Sequence, residues 1–453
     1  MRLSGALGQR DFRLLWTGMA VSLLGDGVFL IAVAWQAYQI ADRPSSLAYV
    51  GVATSLPQVA MLLVGGAVSD HFPRRTVILV ADVVRAGAVI VLTTLVLNGE
   101  ASLAALCVVG AVLGVGSAFA APAMDALVPQ LVARDQLIQA NVVDQFVRPV
   151  TLQLAGPALG GVAVAAFGSS GAFCFDAATF AFSALCVSRL GCSGEVARTT
   201  AYDLRRQVAE GFRYVRRRAW LWATFVSATF TYLLFIGPTQ VLLPYIVRNS
   251  LHQGAFTYGV VLASGGVGAL IGALFAGSRP EARQPLLFIY GSWALATLAV
   301  AGYGIATNAW ALAEIAVVMN AAEAAGTVLW ATLKQRRVEN AMLGRVSSID
   351  WCVSTALLPA SYALTVPIEH WLGPRTTLVL AGELGAAVTL GFLLLPGLRH
   401  DGEPEHPFGT SNGHVAHRAA HPDPRAVAYP GPARATVDSG WYASVGPGRT
   451  QPR

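Results

Sequence analysis

The stretch LQLAGPALGG, residues 152–161, lies inside a continuous apolar run that extends from 140 to 167. The run has the length of a membrane-spanning helix, yet it contains Gly156-Pro157 and, one turn later, Gly160-Gly161. Within a soluble helix the proline alone would cost about 3 kcal/mol. In a membrane such breakers are tolerated because neighbouring helices can satisfy the freed backbone groups. The stretch therefore points to a helix inside a membrane bundle.

The composition places the chain among membrane proteins. Of its 453 residues, 55% are hydrophobic and only 12% are charged, whereas a typical soluble domain has about 25% charged residues. A chain can cross lipid only as helices or as a closed barrel. Barrel strands alternate apolar and polar residues, but the runs here are continuous and reach the ~20 residues that a membrane-spanning helix needs. An all-α membrane protein is predicted.

Twelve apolar runs of this kind follow one another along the chain. Because six lie in 13–189 and six in 220–396, two segments of equal length, a duplicated unit is predicted. We expect twelve transmembrane helices in two six-helix bundles, 1–189 and 220–396, joined by a cytoplasmic linker at 190–219. The runs are 13–40, 47–68, 76–97, 101–122, 140–167, 171–189, 220–246, 255–278, 285–306, 309–331, 346–367 and 373–396.

The arginines support this count and orient the chain. With the N-terminus in the cytoplasm, cytoplasmic stretches up to residue 400 contain 21 of the 31 Lys and Arg residues, and the outer loops contain three. Such an excess is typical of cytoplasmic loops. The net charge of +6 thus follows from topology and indicates no nucleic-acid partner. We expect a multi-pass protein of the cell membrane with both termini in the cytoplasm.

Two segments outside the apolar runs differ from them in composition and in periodicity. Residues 200–219 place four apolar side chains at helical spacing with arginines on the opposite face, which is typical of an interfacial helix. Residues 397–453 are rich in Pro, Gly, His and Arg and have no apolar periodicity, which predicts a disordered cytoplasmic tail. No cysteine or acidic cluster accompanies the tail histidines, so neither a metal site nor a cofactor is predicted.

The loop between the second and third runs reads GAVSDHFPRR, residues 66–75. It resembles the Gly-x-x-x-Asp-(Arg/Lys)-x-Gly-Arg-(Arg/Lys) signature of the major facilitator superfamily. His71 and Pro73 replace the usual basic residue and glycine. The resemblance implies the twelve-helix fold of that superfamily. Four positions of the signature are kept: Gly66, Asp70, Arg74 and Arg75.

A second carboxylate, Asp125, follows at the end of the fourth run. In the superfamily an acid at this place joins the loop aspartate and arginine in a cytoplasmic latch that stabilises the outward-facing state. The resemblance implies that Arg74 lies between Asp70 and Asp125, in charge-assisted bonds that break when the gate opens. An ordinary anchored loop without a switching role is the alternative.

The stretch at 152–161 resembles another signature, the Gly-Pro-x-x-Gly-Gly motif of the drug/proton antiporters of the superfamily. The importers of the superfamily generally lack this motif. Leu152 stands where the fuller signature has a further glycine. The glycines offer a neighbouring helix a face without side chains, and the glycine-rich stretch 265–277 of the eighth run is the expected partner. A helix merely kinked for packing is the alternative. The motif residues are Gly156, Pro157, Gly160 and Gly161.

Several further stretches, taken in order, are similar to the branch of the superfamily that contains macrolide efflux proteins and the enterobactin exporter. The similarity covers roughly 10–396 and excludes the tail. No single stretch is highly specific, but their order and spacing are. The stretches are RDFRLLWTGMAVSLLGDGV, FDAATFAFSAL, EGFRYVRRR and LGRVSSI.

Acidic residues inside membrane spans are costly and are functional candidates. Asp26, Glu323 and Glu383 lie near mid-membrane with no basic residue close in sequence, and Asp26 stands between two glycines. A carboxyl held away from water can bind and release a proton as its surroundings change. We hypothesise that Asp26 is the leading proton-coupling site, with Glu323 second and Glu383 a further candidate. A neutral carboxyl hydrogen-bonded to a neighbouring helix is the alternative for each.

Two other acids have a base on the same helix face. Asp82 with Arg85 and Asp144 with Arg148 stand three and four residues apart, close to the cytoplasmic end of their runs. Pairs at this spacing can form along one helix. Structural roles are therefore expected for them.

The same count of charges bears on the cargo. The spans contain eight acidic residues and two basic ones, which suits a lipophilic cation or a neutral amphiphile better than an anionic siderophore. Aromatic residues could line a cavity by stacking or cation–π contact, although each could equally belong to the core or to the interfacial belt. The candidates are Trp35, Tyr232, Phe235, Trp330 and Trp351.

These patterns predict a secondary transporter that exports amphiphilic, drug- or antibiotic-like molecules by proton antiport with alternating access, working as a monomer in the lipid bilayer. A dedicated siderophore or metabolite exporter is the alternative, and a non-transporting receptor or scaffold of the same fold is a weaker one. No histidine lies within a run, and the chain has no serine-nucleophile motif or phosphate-binding glycine loop. An enzyme is therefore not expected.

Overall fold

A computed structural model of the chain shows a helical protein. Among the residues that it describes, every regular element is a helix. The predicted tail, Asp144 and the side chain of Asp70 lie outside the described part. The described residues are 8–132, 136, 147–191, 201–278 and 284–395.

The α-helices of the described residues follow one another closely, and π-helical turns at Pro149–Ala155 and Ile246–Ser250 adjoin two of them. In chain order they are α1 Arg10–Ile40, α2 Pro44–His71, α3 Arg74–Leu97, α4 Leu103–Leu131, α5 Gly156–Ser188, α6 Ala201–Arg216, α7 Ala219–Tyr245, α8 Ala255–Gly277, α9 Pro285–Ile305, α10 Ala309–Arg337, α11 Asn340–Thr355, α12 Leu358–Leu372 and α13 Pro374–Phe392.

Nine stretches of the described residues are long and apolar enough to cross a membrane. They comprise α1, α3, α4, α5 with the turn before it, α7 with the turn after it, α8, α9, α10, and most of α11 together with α12. Helices α2 and α13 occupy the second and twelfth predicted runs and have 28 and 19 residues. The protein is therefore a multi-pass helical membrane protein.

Local signals in the sequence set several of the helix ends. The hydroxyl of Ser102 accepts a hydrogen bond from the Ala105 N–H at the start of α4, at 3.2 Å. The side chain of Asn308 caps α10 in the same way through the Ala311 N–H, at 2.9 Å. Such caps satisfy backbone donors that a helix start leaves unpaired.

One predicted boundary agrees with the structure and another needs correction. Within α5 the helix is interrupted at Gly168, between the predicted fifth and sixth runs, with φ 70° and ψ −179°, a conformation that is essentially restricted to glycine. The eleventh run is divided between α11 and α12 by a turn at 356–357. The predicted linker contains one helix, α6.

Buried apolar side chains form three clusters that distinguish the two ends of the molecule. The largest contains residues of both halves of the chain, among them Tyr38 and Val241. Of the other two, one draws only on the first half, around Phe12, and one only on the second half, around Trp220. We call the end around Tyr38 the joined end and the end around Phe12 and Trp220 the divided end.

Polar contacts reinforce the joined end. The Tyr38 hydroxyl donates to the Val241 carbonyl at 2.5 Å, and the Asn249 amide donates to Asp42 at 2.8 Å. Helices α2 and α12 also pack together there, and a methyl group at Gly51 would lie 2.4 Å from the Tyr362 ring. The two halves of the chain are thus held together at this end.

Candidate functional site

The glycines of the Gly-Pro-x-x-Gly-Gly stretch are buried in helix contacts. A methyl group at Gly156 would lie 2.7 Å from the Gly27 Cα of α1, and one at Gly160 would lie 3.0 Å from the Val28 Cα. Separations this short leave no room for a side chain, so only glycine permits them. These two glycines therefore set the contact between α5 and α1.

The third glycine of the motif contacts α8. A methyl group at Gly161 would lie 3.1 Å from the Gly259 Cα, and one at Gly266 would lie 2.6 Å from the carbonyl of Gln153. Pro157 has no N–H to donate to that carbonyl four residues earlier. Helix α8 thus packs on the turn where the α-helical pattern changes, which explains how the breaker is tolerated.

The predicted role of 265–277 holds only in part. Gly266 contacts the turn before α5, but a methyl group at Gly268 or Gly272 would strike the carbonyls of Val317 and Ala321 on α10. Most of this glycine-rich stretch therefore serves the packing of α8 on α10.

A buried charged cluster lies in the first half of the chain, and we call Asp26, Asp82, Arg85 and Asp176 the first-half cluster. The Arg85 guanidinium donates to one oxygen of Asp82. Its Cζ lies 4.5 Å from the centre of the Phe180 ring, so the cation also meets an aromatic face. Asp82 is 0% exposed and Arg85 is 6% exposed, which makes this an ion pair of the interior.

The second oxygen of Asp82 is also occupied, since the Ser183 hydroxyl donates to it at 2.6 Å. Asp176 is also 0% exposed, but its hydrogen bonding is incomplete. Its Oδ2 is buried and makes no hydrogen bond to any described residue, while its Oδ1 lies 3.5 Å from the Thr179 hydroxyl. Asp176 is therefore less fully hydrogen-bonded than Asp82.

Asp26, on α1, is the third carboxyl of the first-half cluster. It interacts electrostatically with Asp82, Arg85 and Asp176. A methyl group at the neighbouring Gly25 would lie 2.5 Å from Asp176 Oδ1, so the glycine allows α1 to approach the second part of α5. Three carboxyls from α1, α3 and α5 thus share one guanidinium.

Sequence reasoning described this region incompletely. Asp26 has no base nearby along α1, but the fold brings Arg85 of α3 to it. The Asp82–Arg85 pair was expected near the membrane edge, yet it is buried in the middle of α3. The i, i+3 spacing indicated the pair. Nothing in the spacing indicated that Asp176 would meet it.

A small, largely apolar pocket lies in the second half of the chain between α7, α9 and α10, and we call it the second-half pocket. Its volume is about 40 Å³. Glu323, at the middle of the 29-residue helix α10, is its acidic residue. Tyr232 and Phe235 face each other with ring centres 5.8 Å apart. The lining residues are Ser227, Ala228, Thr231, Tyr232, Phe235, Trp293, Ala296, Thr297 and Glu323.

The structure thus brings Glu323, Tyr232 and Phe235 together, but it separates the other candidates from them. Glu383 is exposed on α13. Trp351 is 64% exposed, and Trp35 is half-buried against the shared apolar cluster near Arg248. Trp293 is the aromatic lining residue that sequence reasoning missed.

Trp330 is a core residue of the divided end. It is 5% exposed and contacts the rings of Trp220, Phe225 and Trp293 edge-on. Its indole N–H donates to Asp350 at 2.9 Å, and Lys334 binds the same carboxylate at 2.5 Å. This satisfied arrangement indicates packing.

The latch residues predicted for a loop lie in helices at the divided end, with Gly66 in the last turns of α2 and Arg74 and Arg75 at the start of α3. Arg74 donates to the carbonyl of Ala126 at 2.7 Å, next to Asp125, and Arg75 donates to the carbonyl of Ser188. Asp125 lies 3.6 Å from Arg148. Around Gly66 there is open space on the side where a Cβ would stand. The loop is therefore tied to α4 and α5.

Residues 4–388 match the family model described as transmembrane secretion effector. The chain is similar to the macrolide efflux protein A of Streptococcus pyogenes, at 22% identity over 82% of this chain and 93% of that protein. It is also similar to the multidrug efflux pump Tap of Mycobacterium tuberculosis, at 28% identity over 83% and 91% of the two chains.

A further relative is the enterobactin exporter EntS of Citrobacter koseri, at 27% identity over 82% of this chain and 90% of that protein. Among solved structures, a bacterial homologue of the iron transporter ferroportin in an inward-facing state superposes with a TM-score of 0.62. That match covers 85% of this chain and 99% of the other at 16% identity, so it shows a shared fold alone.

Proposed function

Because the chain belongs to the transmembrane secretion effector family of the major facilitator superfamily, we propose that it exports amphiphilic, drug-like molecules in exchange for protons. It is a multi-pass membrane transporter of the efflux type and not an enzyme.

The proposed architecture has twelve transmembrane helices in two six-helix bundles, with both termini in the cytoplasm and one chain as the working unit. The arginine-rich loops then place the divided end at the cytoplasm. The single shared cluster at the joined end and the two separate clusters at the divided end support an inward-open state. In alternating access the two halves would separate at the joined end and close together at the divided end.

The observation that carries proton coupling is the excess of carboxyls in the first-half cluster. One guanidinium pairs with Asp82, which leaves Asp26 and the incompletely bonded Asp176 without a full counter-charge of their own. Two such carboxylates in a low-dielectric interior cannot both stay charged without a large penalty. Binding a proton relieves it, and we assign the exchanged proton to Asp26, which is half-buried.

The two signature regions receive supporting roles in this proposal. Arg74, Arg75, Asp70 and Asp125 would form the latch that holds the divided end closed in the outward-facing state. Gly156, Pro157, Gly160 and Gly161 would let α5 pack tightly between α1 and α8, which limits leakage of protons through the middle of the protein. The close glycine contacts support this second role.

The test is proton flux in proteoliposomes with an acidic interior. Asp26→Asn, which cannot exchange a proton, should lower cargo-driven proton flux by roughly 100-fold, near the upper end of ordinary coupling energies. Glu383→Gln, which neutralises an exposed acid, is the matched control and should keep wild-type flux. Wild-type flux in Asp26→Asn would assign coupling to another group.

A dedicated siderophore or metabolite exporter is the second candidate, favoured by the 27% identity to the enterobactin exporter. An anionic siderophore would meet the uncompensated carboxylate of Glu323, which opposes its binding. Adding a catecholate siderophore in the same flux assay separates the two candidates.

A further inference from the structure

We propose that the second-half pocket binds the small cationic head of the cargo, a single ammonium group on an apolar body, through Glu323 and the rings of Tyr232, Phe235 and Trp293. This assignment rests on the proposed export function and extends it by naming the chemistry of the cargo. It also moves Glu323 from the proton path to cargo recognition.

The charge balance of the pocket supports a cationic ligand. The first-half cluster contains its own cation, Arg85. For Glu323 the neighbouring ionisable group is the Tyr232 hydroxyl, and no Arg, Lys or His interacts with it electrostatically in the part of the chain that the structure describes. A carboxylate held in the interior without a partner is costly. A bound cation would supply the missing charge.

Two of the four hydroxyl groups that line the pocket are engaged by the protein itself. Thr231 is hydrogen-bonded to Thr389 at 2.9 Å, and Thr297 donates to the carbonyls of Trp293 and Ala294 at 3.0 Å. They therefore have little capacity to recognise a sugar or another polyhydroxylated ligand. The carboxylate of Glu323 is the strongest polar group left in the pocket.

The aromatic walls suit the same ligand. The rings of Tyr232 and Phe235 are inclined at 44° to each other, and Trp293 is held by ring contacts with Tyr290 and Trp330. Cations bind over such ring faces, and quaternary ammonium groups are recognised by several aromatic rings acting together. One acid beside three aromatic rings thus favours an ammonium over a metal ion or an anion.

The size of the pocket limits what enters it. A volume of about 40 Å³ is far below the ~300–1,000 Å³ of a site that holds a whole drug-sized ligand. The pocket therefore receives one end of the cargo, while the apolar body remains between the two halves of the chain. Because Tyr232 and Glu323 lie at the middle of α7 and α10, this head group would sit at the depth where transporters of this kind bind substrates.

The experiment uses two matched fluorescent probes, trimethylammonium-diphenylhexatriene and its uncharged parent diphenylhexatriene. Each is titrated into full-length protein in lipid nanodiscs, and energy transfer from the tryptophans reports binding, with empty nanodiscs as the blank. Glu323→Gln should weaken binding of the charged probe on the order of 10-fold and leave the uncharged probe within about two-fold. Glu323→Asp, which keeps the charge, should retain part of the affinity, and Glu383→Gln should match the wild type.

The inference fails if Glu323→Gln binds the charged probe as tightly as the wild type, if it loses both probes equally, or if the wild type does not prefer the charged probe. Proton flux with each probe is measured on the same preparations. Wild-type protein that exchanges the uncharged probe for protons, with Glu323 dispensable, would retain the proposed function and discard this subsite. Preferential binding of the charged probe without any proton flux would retain this subsite and discard the proposed function.

Discussion

The first-half cluster and the second-half pocket place carboxyls at similar depth but in opposite electrostatic settings. Asp82 is bonded to Arg85 and Ser183 inside the protein. Glu323 faces a small cavity walled by aromatic rings. A buried acid with an internal cation is part of the protein's own charge balance, whereas a buried acid without one is available to a ligand. In the proposed mechanism a carboxyl group thus serves two purposes, and the helices packed around it decide which.

The aromatic residues repeat this contrast. In the first half Phe180 covers the guanidinium of Arg85, so its cation–π contact is already formed within the protein. In the second half Tyr232 and Phe235 face the pocket. The comparison predicts that changes in the first half act mainly on stability and proton exchange, while changes in the second half act mainly on cargo binding.

The largest expected effect comes from removing the internal cation. Arg85→Met keeps much of the side-chain volume but leaves Asp82 buried without its partner, which should cost about 3–5 kcal/mol of stability. The measurement is the thermal unfolding temperature of the purified protein in detergent. Glu323→Gln, by contrast, removes an unpaired interior charge and should not lower that temperature.

A double variant tests the reason for the loss. Arg85→Met with Asp82→Asn removes both members of the pair and should recover most of the stability lost in the single variant, because no uncompensated charge remains. If Glu323→Gln proved as destabilising as Arg85→Met, Glu323 would have a partner of its own and the contrast between the two regions would fall.

Much of the fold followed from the sequence because its signals are local. Continuous apolar runs and the excess of arginine in alternate loops predicted a multi-pass helical protein, and the loop at 66–75 with the Gly-Pro stretch indicated the superfamily. The break at Gly168 falls between the predicted fifth and sixth runs. The turn at 356–357 was not predicted, because the apolar run continues through it.

The site was less predictable because it depends on which helices meet. Asp26 was selected from its mid-run position, yet its neighbours Arg85 and Asp176 come from other helices. From the sequence, Trp330 and Tyr232 were equally plausible cavity residues. In the structure Trp330 packs into the aromatic core of the divided end, and Tyr232 lines the pocket. The periodicity of apolar residues along a membrane helix cannot show which face points into a cavity, since both faces are apolar.

An intermediate effect is expected from the pocket walls. Tyr232→Leu removes an aromatic face while keeping an apolar side chain, and should weaken binding of the trimethylammonium probe by about 1–2 kcal/mol, as for a desolvated cation–π contact. Phe180→Leu is the matched change in the first half. It should leave probe binding unchanged and lower the unfolding temperature instead. Equal losses of binding in both variants would contradict the division of roles.

The smallest effect on stability is expected at the divided end, where the same carboxylate–guanidinium chemistry is exposed. Asp125 is 74% and Arg148 is 38% exposed, with 3.6 Å between the charged atoms. Water and salt screen such pairs, so Asp125→Asn should change stability by less than about 1 kcal/mol, in contrast to the buried pair of Asp82 and Arg85.

Turnover should nevertheless fall in Asp125→Asn, because the proposed latch acts on the balance between two conformations and not on folding. Thermal unfolding at low and high salt, measured beside proton-coupled transport, separates these effects. A large loss of stability would mean that Asp125 has a structural role like that of Asp82. Unchanged turnover would mean that the loop at 66–75 anchors the helices without switching them, and the excess of charge at this end would then serve topology alone.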